Sequence, residues 1–306
     1  MRCPFLREAQ VKFCQASPYR KFIVRLPEQT ARERCSSPDH VDCPAARQHQ
    51  EERPSLSHCP FLHESLVQYC TAASVAKYVP YTESANTRCG TESHRYCELF
   101  LAISGPDQEA RESADRFPRE LHYSPNHFWL DLGEDGTFHI GCDAFLTSTL
   151  GSAERVSYLQ EKGACQPSVV LSVGGIDLPF VFPKEVTLTG TNTLLRTDPD
   201  RLFADPYGRG WLFEGTLPRR RDENGNGAIT DSLIAGTEAA PWAAEESKRL
   251  SEMLQQFASD RARSPMPVLA DGGMPEESLG HVLSRQELLR LHTAFFSPIA
   301  LWRPKK

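Results

Sequence analysis

Ten cysteines occur in the chain, and eight of them fall within the first hundred residues as two matching sets. The first set is Cys3, Cys14, Cys35 and Cys43; the second is Cys59, Cys70, Cys89 and Cys97. Their spacings read C-x10-C-x20-C-x7-C and C-x10-C-x18-C-x7-C, so only the loop before the third cysteine changes length. Flanking residues repeat with them. Cys3-Pro4-Phe5-Leu6 returns as Cys59-Pro60-Phe61-Leu62, and Arg34-Cys35 with His40 and Cys43 returns as Arg88-Cys89 with His94 and Cys97. Self-similarity of this kind marks one structural unit used twice. Four thiols per unit support three chemistries: thiolate ligation of a metal or iron–sulfur cluster, disulfide formation, or burial as small apolar groups. A reducing compartment disfavours disulfides, which leaves metal ligation as the leading expectation. Structural zinc usually uses closely spaced cysteine pairs, which neither copy has. Widely spaced cysteines with prolines beside them suit a cluster as well, so two iron–sulfur clusters are favoured over two zinc ions. His40 and His94 each stand three positions before the last cysteine of their copy. Either could replace a thiolate, support a ligand from behind, or be a polar loop histidine.

The elements that must hold these thiols are read as helical. Proline just after Cys3 and Cys59 suits the first turn of a helix. Phe5, Leu6, Ala9 and Phe13 then recur at helical spacing, mirrored by Phe61, Leu62, Ser65 and Tyr69. Two mainly helical repeats are therefore expected at 1–50 and 51–104. Units this small bury little apolar surface and often lean on a metal. Ala45 to Ser57 reads as a linker, and Gly105 to Glu120 as a polar stretch with a surface helix around Gln108–Glu112.

Residues 118–218 change character. Phe128-Trp129-Leu130 and Thr137-Phe138-His139-Ile140 flank Glu134-Asp135-Gly136, and Asp-Gly between alternating apolar residues is a strong hairpin signal. Ser168 to Val173 and Leu178 to Phe182 read as two strands joined at Gly174-Gly175. Asp205-Pro206-Tyr207-Gly208-Arg209-Gly210-Trp211-Leu212-Phe213 reads as a turn feeding a strand: Pro206 fixes φ, Gly208 and Gly210 permit positive φ, and the aromatics supply apolar area. A small, mostly antiparallel β-domain follows from these signals.

Two of these segments also resemble a known family. Tyr123-Ser124-Pro125-Asn126-His127-Phe128-Trp129 resembles the opening of the H protein of the glycine cleavage system, and Asp205 to Trp211 is similar to its closing motif. The resemblance covers about a third of the chain and implies a lipoyl/biotinyl-carrier-like antiparallel β-sandwich. In that family a lipoyl group is carried by a lysine at the tip of an exposed hairpin, after a Glu-Ser-Val triplet. The matching stretch here is Leu171-Ser172-Val173-Gly174-Gly175, so Gly174 stands where the lysine is expected, and Lys162 and Lys184 fall outside the turn. Without a primary amine no amide to lipoate forms there, and no lipoate is expected. Cys142 and Cys165 stand alone and read as buried thiols; His127 and His139 read as packing or surface polarity.

The C-terminal part, 237–306, reads as helices after a linker at 219–236. Leu250, Met253, Leu254 and Phe257 form a helical stripe with Trp242 upstream, and Ser264-Pro-Met-Pro267 stops it. Ser284-Arg285-Gln286-Glu287 is a capping box introducing Leu288, Leu289, Leu291, Phe295 and Phe296, with Pro298 closing the helix. In the linker, Asp222, Asn224, Asn226 and Gly227 match part of a calcium loop, but Leu233 stands where its bidentate acid belongs, so a Gly/Asn linker is the reading. The expected fold class is α+β and multidomain. A net charge of −6 gives no footprint for nucleic acid. No run is long enough to span a membrane and no secretory leader opens the chain, so a cytoplasmic location is expected. There is no nucleophile elbow, P-loop, dinucleotide fingerprint or H-E-x-x-H. Two functions remain open, with a purely structural zinc-stabilised adaptor as a third. One is a non-enzymatic protein whose unlipoylated H-like module docks protein partners while the cysteine repeats hold clusters for electron transfer or sensing. The other is a true carrier subunit of glycine cleavage or lipoate-linked metabolism.

Overall fold

The computed structural model describes residues 2–16, 21–23, 34–48, 57–73, 77–79, 88–103, 117–217, 227–263 and 279–297. The chain divides into two compact units, Arg2–Thr87 and Arg88–Lys306, so the boundary falls inside the second cysteine copy.

In the first unit the expected helices are not formed. Leu6–Cys14 is a nine-residue strand, β1, followed by β2 at Lys21–Ile23. Leu62–Cys70 and Lys77–Val79 repeat them as β3 and β4. The N-terminal region is thus built on strands where the helical spacing pointed to helices. Ala9, Val11 and Phe13 also alternate with the exposed Glu8 and Gln10, the period of a strand. The deciding factor is a partner: β1 pairs antiparallel with β3, its own copy, in the sheet order β2-β1-β3-β4. Gln10 faces Leu66, its equivalent in the second copy, and the register runs symmetrically from Leu6↔Cys70 to Cys14↔Leu62. The pairing continues beyond the strands, Gln15 N–H donating to Phe61 O at 2.9 Å and Thr71 N–H to Phe5 O at 3.0 Å. A local two-fold therefore relates the copies.

The second unit contains two antiparallel sheets. Its strands are β5 (His122–Tyr123), β6 (Phe128–Leu132), β7 (Thr137–Cys142), β8 (Arg155–Tyr158), β9 (Gly163–Cys165), β10 (Ser168–Val173), β11 (Ile176–Val181), β12 (Val186–Thr191), β13 (Trp211–Thr216) and β14 (Ile234–Ala235). One sheet has the order β11-β10-β8, the other β14-β5-β6-β7-β13-β12-β9. Ring contacts between Phe128 and Phe182 at 6.0 Å and between Tyr158 and Phe213 at 5.5 Å join the sheets across the core. The two motifs that frame the domain meet: Trp129 Nε1 donates to Pro206 O at 3.1 Å, and Asn192 Nδ2 donates to Arg209 O at 2.8 Å and Trp211 O at 2.9 Å. Gly208 and Gly210 are absent from the positive-φ residues, so their need is room. The Asp205 carboxylate accepts the Gly208 and Arg209 amides at 3.1 and 2.9 Å, and a Cβ on Gly208 would lie 2.4 Å from it.

The long helix Gly236–Arg263 follows β14, an edge strand paired with Tyr123 inside the stretch read as a linker. Its Ala239, Ala243 and Phe257 are buried, and Trp242, Leu250 and Met253 pack on the core. Helix Arg285–Phe295 carries the capping box of Ser284 and Glu287. The region around Gln108–Glu112, positions Asp222 to Asn226 of the partial calcium loop, residues 264–267 and Pro298 lie outside the described residues. Among the described residues no helix is long and apolar enough to cross a membrane.

Candidate functional site

Val173 pairs with Ile176, which makes Gly174-Gly175 a two-residue hairpin loop. Their φ angles are +56° and +71°, the conformation of a mirror-image turn that suits the right-handed twist of the strands and favours glycine. The two glycines differ in surroundings. A Cβ on Gly175 would meet nothing within 4 Å, whereas one on Gly174 would come within 2.8 Å of Gly280 O. Gly280 belongs to the short helix Leu279–Val282, and a Cβ there would lie 2.5 Å from Val173 Cγ1 and 2.7 Å from Leu150 O. Backbone thus walls one side of the tip. This cover is fastened by Ser152 Oγ with His281 Nε2 at 2.8 Å and by His292 Nε2 with Pro179 O at 2.8 Å. A carbonyl only accepts, so His292 Nε2 carries the proton; burial holds this imidazole below its ordinary pKa and keeps it neutral. Phe180 packs against His292 and Phe296 beneath. The tip offers no nucleophilic side chain.

The cysteine copies share a second device. In copy one a 3-10 turn, Arg34–Ser36, leads to another, Pro38–Asp42, then Cys43 and the helical turn Pro44–Arg47. Copy two repeats this as Arg88–Gly90, Glu92–Tyr96, Cys97 and Glu98–Ile103. Each histidine bonds back to a backbone carbonyl: His40 Nδ1 to Ser37 O at 2.8 Å and His94 Nδ1 to Thr91 O at 2.7 Å. Both side chains are buried, unlike polar loop histidines. Because the carbonyl accepts, Nδ1 carries the hydrogen, which leaves Nε2 as the ring atom that could ligate. That is the tautomer and backing found behind metal-bound imidazoles.

The thiols are distributed differently from their order in sequence. Cys3 and Cys14 lie at opposite ends of β1, a nine-residue strand spanning roughly 26 Å at strand rise. Cys59 and Cys70 are likewise separated by β3. Neither copy's quartet converges, and among the described residues no three His, Cys, Asp or Glu side chains are gathered to hold one ion. No disulfide joins any of the ten cysteines. Cys142 is fully buried, and burial pushes its thiol pKa well up, as expected of an inert core thiol. Cys165 sits half-buried on β9.

Within the second unit, the turns around Cys89 and Cys97 dock on the β-domain through Arg88 and Tyr96. Tyr96 stacks on His139 at 3.9 Å and on Trp129 at 6.0 Å, and its hydroxyl donates to Asp131 Oδ2 at 2.6 Å. Burial and the Asp131 charge raise the phenol's pKa well above normal. Arg88 donates to Glu214 Oε2 at 2.6 Å and lies over Trp211 at 5.2 Å. Glu214 Oε2 is also 3.5 Å from His139 Nε2. Burial alone would raise the Glu214 carboxyl, but His139 and Arg88 hold it below the usual range, while burial lowers the His139 pKa. The only local hint was that Arg88 and Tyr96 each adjoin a cysteine. His127 is a packing residue too, fully buried at φ +69°. Its Nδ1 lies 2.9 Å from Asp143 Oδ2, and its ring stacks between Phe145 and Trp242.

No protein-family model matches the chain. The glycine cleavage system H protein of Mycobacterium avium (strain 104) is 34% identical over 102 residues, which cover 32% of this chain and 76% of that relative. The glycine cleavage system H protein of Neisseria meningitidis serogroup C (strain 053442) is 34% identical over 128 residues, 40% of this chain and 97% of that relative. Among solved structures, a glycine cleavage system H protein from Mycobacterium marinum aligns over 42% of this chain and 99% of its own at 20% identity, with a TM-score of 0.34.

Proposed function

The chain belongs to the glycine cleavage system H protein family through a segment about one third of its length, and on that premise we propose that its β-domain is a carrier-type module without the carrier reaction, serving to dock protein partners. The observation that carries this is the Gly174-Gly175 tip. Lipoylation joins a lysine Nε to the lipoyl carboxyl as an amide, and a glycine has no Nε to acylate. The Gly280 backbone beside Gly174 supports the same reading, because a side chain there has little room to swing. Lipoate therefore has no seat at this turn, and no reaction step is assigned to it. The protein is read as non-enzymatic.

The cysteine repeats would supply the second half of the function: two thiolate-bound metal centres, iron–sulfur clusters or zinc, acting in electron transfer or redox sensing. What supports this is the duplicated thiol pattern together with the backbone carbonyl behind Nδ1 of both His40 and His94. Two measurements test the reading. Intact-mass spectrometry after co-expression with a lipoate ligase should show an unmodified chain; an added lipoyl mass would restore the carrier function. Anaerobic purification followed by iron, sulfide and zinc analysis should find bound metal, and a metal-free chain would remove the electron-transfer and sensing roles.

A further inference from the structure

We propose that one metal centre is shared between the two copies, with Cys14, Cys35 and Cys43 contributed by copy one and Cys59 by copy two. The inference rests on the metal-binding reading above and replaces one quartet per copy with a crossed set. All four residues belong to the same compact unit.

The strands force the crossing. Cys3 and Cys14 are kept apart by the whole length of β1, so they cannot ligate one ion while that strand stands. The antiparallel register then brings the Cys14 end of β1 beside the start of β3, Cys14 facing Leu62. Cys59 turns directly into that start, with Leu62 N–H donating to Cys59 O at 3.0 Å. The third thiol is tied to the same corner: Cys59 N–H donates to Cys35 O at 2.8 Å. Side-chain direction agrees. Lys12 Nζ donates to Ser36 Oγ at 3.2 Å, so the turn carrying Cys35 lies on the Lys12 face of β1. Residues two apart in a strand share a face, which places Cys14 on it as well. Cys43 closes the set, following Cys35 through the pair of 3-10 turns that hold His40. Cys3 and Cys70 share the opposite end of the ladder, where Thr71 N–H donates to Phe5 O.

The ligands would bind as thiolates, each releasing its proton to solvent, and they suit a thiophilic ion such as zinc or iron. The four side chains are not yet gathered, so uptake has to draw them inward and couples metal binding to ordering of this corner.

The full-length chain, purified anaerobically and loaded with zinc chloride or ferrous iron, provides the test through metal counted per chain. Crossing predicts that Cys14→Ser and Cys59→Ser each remove the same equivalent, so the double variant loses no more than either single one. It also predicts that Cys3→Ser leaves this equivalent in place. The reverse pattern, with Cys3→Ser removing the equivalent that Cys14→Ser removes while Cys59→Ser spares it, would overturn the crossed set while leaving metal binding intact. A wild-type chain that takes up neither metal would overturn the underlying reading instead. For any variant that does not fold, alkylation mapping of the wild type during substoichiometric zinc addition gives the same answer. Cys14 and Cys59 should become protected together, and protection of Cys14 in step with Cys3 would refute the proposal.

Discussion

The paired 3-10 turns of the two cysteine copies share one backbone plan and end differently. Position 42 of copy one is Asp42, exposed and paired with Arg47 at 2.5 Å; its equivalent in copy two is Tyr96, buried against Trp129 and His139. The residue before the third cysteine is an arginine in both copies, and in copy two it is held by Glu214 and Trp211. What was kept through duplication is the device around the histidine: the same carbonyl backing, the same turn, the same cysteine after it. What diverged is the rim. One aromatic beside Cys97 makes copy two's turns part of the β-domain's core, while the matching carboxylate leaves copy one's turns at a surface. The turn around the histidine and its attachment can therefore change independently, because they occupy adjacent but different positions.

The comparison breaks most visibly at Tyr96. Tyr96→Ala should destabilise the second compact unit by about 3–5 kcal/mol, the usual cost of emptying a buried aromatic site. Urea unfolding followed by tryptophan fluorescence reports on this unit, since none of the four tryptophans lies within Arg2–Thr87. A loss below about 1 kcal/mol would mean that the docking adds little. Arg88→Ala should cost about 1–2 kcal/mol in the same experiment, because it leaves the half-buried Glu214 short of its donor.

Acid should loosen copy two's docking by an amount on the order of 1 kcal/mol. His139 has its folded pKa lowered by burial, so the unfolded chain binds more protons and stability falls as pH drops below the unfolded value of about 6.5. Glu214, held below its ordinary value once folded, adds a further loss below about 4.5. His139→Gln should flatten the first part of that profile, and an unchanged slope between pH 6.5 and 5 would remove His139 as its source. The smallest effect belongs to copy one. Asp42→Ala should shift its unit by less than about 0.5 kcal/mol, as exposed pairs do, measured by hydrogen exchange across Pro44–Arg47.

Much of the β-domain was legible because its signals are local. Asp135-Gly136 and Gly174-Gly175 each make a turn by their own backbone preference, and the flanking strands are rich in aromatic and β-branched residues. The capping box at Ser284 is equally local and formed as read. The cysteine repeats were misread because Leu6 to Cys14 satisfies both periods, and the choice rests on a partner strand in the other copy. The partners of Tyr96 and His127 were invisible for a similar reason. Their roles depend on rings and carboxylates contributed from sequence-distant strands and helices, which no spacing near them announces. At Gly208 the residue type was informative but for the wrong cause: the neighbouring carboxylate leaves no space for a Cβ.

Pairing a strand with its own duplicate about a local two-fold has the geometry of a homodimer contact enclosed in a single chain. A lone repeat would leave a nine-residue edge open to any second molecule. Fusion turns that encounter into an intramolecular closure, so the four-stranded sheet assembles at any dilution and its long central edges are never offered to strangers.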